Sequence, residues 1–191
     1  MFLLLVGISL TLSFNRVKNE LTSMQLIMKF IKRGIKIFFL GVIITLITFY
    51  FLEEGFVFFG VLHCIGISII LSYPFLKRRV INLLIAGIII FLGIFFENLT
   101  FNFHLLSWLG LRPDNFYTID FFPLLPWFGV VLIGIYIGNT LYLTKRKSFN
   151  NEILSNNKPI KFLCYFGRHS LIIYFLHHIF ILSIIYLLIN L

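Results

Sequence analysis

The chain has 191 residues, 60% of them hydrophobic and only 12% charged, with 25 Phe and a formal net charge of +9. Ordinary globular chains carry about 45–50% apolar and about 25% charged residues, so a water-soluble monomer and a disordered chain are both excluded. Two Cys exclude a disulfide scaffold and a thiolate metal cluster, and basic residues set between apolar runs point to a membrane rather than to nucleic acid.

A helix that crosses a bilayer needs about 20 mostly apolar residues. The sequence predicts an all-α, polytopic integral membrane bundle, one transmembrane domain over 1–191. Six segments are expected, at about 1–14, 35–52, 56–76, 80–96, 121–144 and 162–191. Helices are favoured over barrel strands because the runs are continuous and do not alternate. The first segment rises about 21 Å at 1.5 Å per residue, short of a hydrocarbon core of about 30 Å. It lacks the basic start and small-residue cleavage site of a signal peptide, so it reads as a spanning helix whose beginning lies upstream.

Residues 22–35 place Met24, Ile27, Ile31 and Ile35 at helical spacing, with Lys29, Lys32, Arg33 and Lys36 on other faces. This predicts an amphipathic helix at the membrane interface. If the six segments alternate in direction, every Lys and Arg except Arg112 and Arg168 falls on one face. That face is expected to be cytoplasmic in a multi-pass cell-membrane protein, with both termini outside.

Polar groups within apolar segments are costly, so each is a candidate for function. His63 lies in the third segment between Gly60 and Gly66, glycines that let a helix or a ligand approach closely. Its plain alternative is a hydrogen bond to a neighbouring helix. The outer loop carries His104, and Asp120 opens the run Asp120-Phe121-Phe122-Pro123-Leu124-Leu125-Pro126-Trp127. Two prolines there break the first helical turns. Asp120 either accepts a hydrogen bond from a polar substrate or caps the helix, and Trp127 stands on the same side. In the last segment Gly167, Ser170, Tyr174 and His177 share one helix face, beside Arg168 and His169. That polar stripe suits a general base or a packed helix contact equally. Gly134 and Gly138 form a GxxxG packing signal. No metal-ligand spacing, nucleotide loop or internal repeat stands out.

Four stretches carry a resemblance: Phe2–Leu10 (FLLLVGISL), Phe58–Gly66 (FFGVLHCIG), Asp120–Gly129 (DFFPLLPWFG) and Gly167–His177 (GRHSLIIYFLH). Together they resemble the catalytic domain of the heparan-α-glucosaminide N-acetyltransferase family, multi-spanning proteins, over nearly the whole chain. The resemblance implies transfer of an acetyl or acyl group from cytoplasmic acetyl-CoA to a polar acceptor, expected to be a sugar, on the outer side. It implies acyl-CoA contacts from Lys32, Arg33, Lys36, Arg78 and Arg168. His63 and His177 are then the catalytic candidates. Asp120, Trp127 and His104 lie on the acceptor side, and no metal is needed. Family members begin with a further helix and an outer loop bearing another histidine, which this sequence does not match. The expected partners are the bilayer, acyl-CoA and the acceptor, with a second copy of the chain left open and no nucleic acid. The rival readings are a small transporter or flippase and a truncated non-catalytic membrane subunit.

Overall fold

The computed structural model describes residues 1–51, 55–97, 99, 106–113, 117–145 and 158–189. The chain divides into two compact units, Met1–Thr144 and Lys145–Leu191. Among the described residues every regular element is helical. Among these residues three helices are long and apolar enough to cross a membrane: Ser23–Phe51, Val80–Glu97 and Leu124–Leu141. Three apolar helices are shorter, Phe2–Val17, Val61–Phe75 and His169–Ile181.

Helix α1 (Phe2–Val17) buries Leu3, Gly7, Leu10, Thr11 and Phe14. These recur every three to four residues and so form one stripe. The stripe lies on α5 (Leu124–Lys145) through small residues. A Cβ added at Gly7 would collide with the Val131 carbonyl, and one at Gly134 with the Leu4 carbonyl. Gly138 sits against Thr11, 2.9 Å from its Cβ to the position a Cβ would take. The GxxxG signal is therefore the surface on which α1 rests, and two backbones approach closely there because no side chain intervenes.

Helix α2 (Ser23–Phe51) is one continuous rod of 29 residues. The stretch read from sequence as an interfacial helix and the span after it join without a break, because no Pro separates them. It starts with a reciprocal cap. The Thr22 N–H donates to Gln25 Oε1 at 3.0 Å, and the Gln25 N–H donates to Thr22 Oγ1 at 3.5 Å, satisfying two of the donors a helix start leaves free. The buried stripe is Leu26, Phe30, Gly34, Gly41, Ile44 and Thr48. Met24 and Ile35 are exposed, as are Phe39, Leu46 and Phe49. From Phe39 onward the exposed side of α2 is apolar, which suits contact with lipid rather than water.

Helix α3 (Val61–Ser72) is buried on nearly every side, with Leu62, His63, Cys64, Ile65, Gly66, Ser68, Ile69 and Ser72 inside. A helix apolar all round belongs at the centre of its bundle. It touches α2 where Gly34 and Gly66 meet: a Cβ on Gly66 would lie 2.8 Å from the Gly34 carbonyl. A 3₁₀ turn, Tyr73–Phe75, extends it. Helix α4 (Val80–Glu97) buries only Asn82, Ala86 and Gly93. Gly93 meets Pro126, and Gly129 of α5 meets the Ala86 carbonyl. In α5 the Leu125 backbone is extended (φ −93°, ψ 125°), because a residue preceding proline is driven out of the helical region. The regular helix begins at Pro126, whose peptide bond with Leu125 is cis. Leu10, Phe14, Leu26, Phe30, Ile69, Leu76, Val131, Leu132 and Ile135 make up much of one core shared by α1, α2, α3 and α5.

The turn from the 3₁₀ segment into α4 is held by two buried amides. Asn82 Nδ2 donates to the Phe75 and Arg78 carbonyls at 2.9 and 2.7 Å. Asn139 Nδ2, from α5, donates to the Leu76 and Arg78 carbonyls at 3.1 and 3.3 Å. Asn139→Ala removes both of the latter bonds, so a loss of about 1–3 kcal/mol is expected. Thermal unfolding in detergent measures it; an unchanged midpoint would show that Asn139 does not hold the turn.

In the second unit, helix α6 (Lys158–Ile189) is 32 residues long. Pro159 stands in its first turn, where the missing N–H costs nothing. Phe162 stacks edge-on against Phe166 at 4.7 Å within the same helix.

Candidate functional site

Two stretches that precede helices lie side by side at the start of α3. The Ile119 N–H donates to the Gly55 carbonyl at 3.0 Å and the Phe122 N–H to the Phe59 carbonyl at 2.9 Å, with Phe59 and Phe121 in a parallel bridge. Thr118 Oγ1 donates to the Phe56 carbonyl at 2.8 Å and accepts from the Phe58 N–H at 3.4 Å. Gly55 has φ 80°, and the Tyr117 ring fills the space beside it. An L side chain there would meet both strain and collision.

This pairing is why α3 starts at Val61 and not at Phe56, where the apolar run begins. Residues 55–60 are extended because their partner is a distant segment, which no local pattern reveals. The pairing delivers Asp120 to the start of α3, where its Oδ2 accepts from the Val61 N–H at 3.3 Å. Asp120 therefore caps α3 and not α5, the helix it precedes in sequence. Gly60 is the residue that permits this, because a Cβ there would collide with Asp120 Oδ2. A carboxylate at a helix N-terminus is also favoured by the helix dipole. Asp120→Ala is expected to cost about 0.5–2 kcal/mol, the range for losing a helix cap, and Asp120→Asn less, since an acceptor oxygen remains. Equal unfolding midpoints for wild type and Asp120→Ala would count against the cap.

His63 stands in the first turn of α3 and is 4% exposed. Its ring is set edge-on to Phe38 of α2 at 5.1 Å and tilted to Phe59 at 5.4 Å. Gly41 makes room for it: a Cβ there would lie 2.9 Å from both Nδ1 and Cε1. Among the described residues His63 Nδ1 has no hydrogen-bond partner. Buried ring nitrogens are nearly always paired, so an orphan calls for a chemical reason. Cys64 follows it, fully buried, with Sγ 4.0 Å from the Pro123 carbonyl and 3.9 Å from Ser68 Oγ. Trp127 is half-buried and packs on Phe122 at 5.0 Å. The Arg112 guanidinium lies 5.1 Å over the Phe121 ring and 3.9 Å from Glu97. That ion pair is exposed and contributes little to stability. Arg112, one of the two exceptions in the charge count, nevertheless brings a cation beside the segment that carries Asp120.

His63 and Asp120 thus meet the same turn of α3, and Trp127 packs on the segment that follows Asp120. His104 lies outside the described residues. Lys32, Arg33 and Lys36 are exposed on α2, and Arg78 is exposed on the turn before α4. In the second unit His169 Nδ1 is 2.9 Å from the Tyr165 carbonyl, its ring 4.6 Å from the Tyr165 ring. Ser170 and His177 are exposed on α6 and Tyr174 is half-buried; the side chain of Arg168 lies outside the described residues. Asn82 and Asn139 were not singled out from sequence, although an Asn within an apolar segment is itself a signal. Among the described residues no three His, Cys, Asp or Glu side chains group as metal ligands would.

No curated protein and no solved structure matches the chain. Residues 1–179 match the family model described as heparan-alpha-glucosaminide N-acetyltransferase, catalytic. That match spans both units and all four of the stretches in which the resemblance lies, so the chain belongs to the heparan-α-glucosaminide N-acetyltransferase catalytic-domain family.

Proposed function

We propose that the protein is a six-span membrane acetyltransferase that moves an acetyl group from cytoplasmic acetyl-CoA to a polar acceptor, a sugar, on the outer side. Membership of a transmembrane acetyltransferase family supports the reaction class. The observation that carries the site is the buried, unpartnered Nδ1 of His63 in the turn of α3 that Asp120 caps. In this reading an acceptor amine or hydroxyl attacks the thioester carbonyl carbon. Its proton passes to the imidazole as the new bond forms. The carbon–sulfur bond then breaks, and the coenzyme A thiolate leaves with that proton. A ring nitrogen without a partner is free to take the proton, whereas a paired one would first have to give up a bond. Asp120 positions the turn that carries the ring. His177 is the second candidate base, and Lys32, Arg33, Lys36, Arg78 and Arg168 are the candidate contacts for the donor's phosphates.

The test is acetyl transfer in membranes that contain the full chain, with radiolabelled acetyl-CoA as donor and glucosamine as the acceptor probe. The expected result is acetylated glucosamine above that of membranes lacking the protein. Absence of label in glucosamine and in every other polar product recovered from the membranes would overturn the acetyltransferase reading.

A further inference from the structure

A cleft of about 370 Å³ opens at the end of the first unit away from Asp120. Asn15, Lys18 and Asn19 at the end of α1, Lys77 and Arg79 on the turn before α4, and Asn139 of α5 line it. It lies beside Leu76, whereas His63 lies in the opposite, N-terminal turn of α3.

Three features give this cleft a chemistry. First, among the described residues its charged lining is basic: Lys18, Lys77 and Arg79. Secondly, the basic turn is fixed. The carbonyls of Phe75, Leu76 and Arg78 all accept from the two buried amides, Asn82 and Asn139. An anion is repelled by carbonyl oxygens. Here those oxygens are occupied by the amides, and Lys77 and Arg79 line the cleft. Thirdly, the cations arrive from two directions, one helix end and one turn, and amide groups of Asn15 and Asn19 are interspersed. An anion with several oxygens can engage all of them at once, which a carboxylate with two oxygens cannot. A mere topology signal needs only net positive charge; it needs neither a fixed turn nor a concave surface.

We infer that this cleft binds a phosphate-bearing ligand, held by Lys18, Lys77 and Arg79. None of these belongs to the basic set that sequence reasoning selected for the donor. Two sources share this chemistry, the phosphates of coenzyme A and the headgroup of an anionic lipid. The first source rests on the proposed acetyl transfer; the second does not.

The experiment uses the full chain in nanodiscs and reads binding and acetyl transfer separately. Coenzyme A is titrated in nanodiscs of phosphatidylcholine alone. Phosphatidylglycerol is tested as the lipid that raises the unfolding midpoint when mixed into phosphatidylcholine. The variant is Lys77→Gln with Arg79→Gln, both exposed and so compatible with folding. Arg16→Gln with Lys29→Gln removes the same charge outside the cleft and serves as control. The expected result is coenzyme A binding about tenfold weaker or more in the cleft variant, with the control like wild type. Loss of the phosphatidylglycerol effect in the cleft variant alone would instead assign the site to a lipid phosphate and equally support it. If both ligands act alike on the cleft variant and the control, the inference is overturned, even where acetyl transfer is intact. Conversely, cleft-dependent phosphate binding without any acetyl transfer leaves the cleft standing and overturns the proposed reaction.

Discussion

Replacing His63 by Ala is expected to lower acetyl transfer by about 10²–10⁴-fold, the range for removal of a general base. A truncation alone would confuse chemistry with packing, because the ring also fills the space between Phe38, Phe59 and Gly41. His63→Phe separates the two. It keeps an aromatic ring in that space and removes the nitrogen that has no partner. Removing an unsatisfied buried polar atom relieves its desolvation cost. The Phe variant should therefore unfold at the same temperature as wild type or higher, while its transfer rate falls as far as that of the Ala variant. A site that holds a group against its own stability for the sake of chemistry behaves in this way. The opposite pattern, transfer retained by His63→Phe, would remove His63 from the mechanism.

The largest structural effect is expected at Gly134. Its Cα faces the backbone of α1, and an added Cβ would collide with the Leu4 carbonyl and lie 3.1 Å from Gly7 Cα. Backbone cannot swing aside as a side chain tip can, so α1 must move as a whole. Gly134→Leu is expected to destabilise the protein by about 3 kcal/mol, the upper end of the range for overpacking. Gly87 is the internal control. It lies in α4 with no atom within 4 Å of the position a Cβ would take. Gly87→Ala should be neutral or stabilising by up to about 1 kcal/mol, from helix propensity. Midpoints of thermal unfolding in one detergent compare the two. Similar destabilisation at both positions would mean that glycine flexibility, and not the close contact of α1 with α5, sets the effect.

Much of the helical content is legible in the sequence because apolar runs of this length have few other uses. The GxxxG pair is legible too, although not which helix it meets; Gly7 on α1 is the missing half of that contact. The start of α5 follows from Pro126 and from the restriction that proline places on Leu125. Thr22 and Gln25 spell a helix start that local sequence contains in full. What sequence does not contain is the pairing of residues 55–60 with 117–122, since each partner is defined only by the other. That pairing decides where α3 begins and makes Asp120 the cap of a helix that lies earlier in the chain. Nor does periodicity show which face of α2 packs in the bundle. When both faces of a helix are apolar, the small residues Gly34 and Gly41 decide which side packs. Of the candidate site, His63 and Asp120 were visible as polar residues in apolar surroundings, while the open space that Gly41 leaves for the ring was not.

The seat of Gly93 on Pro126 and the hydrogen bonds at Gly55, Phe59 and Val61 hold α4 and residues 117–122 on the bundle. Residues 106–113 belong to the same frame: Ser107, Gly110, Leu111 and Pro113 are buried, and Trp108 and Leu109 pack against the core. A change within residues 106–113 is therefore expected to disturb the core, as truncation of a packed side chain does. Residues 106–113 are thus a wall of the bundle, bound by packing as a helix face is.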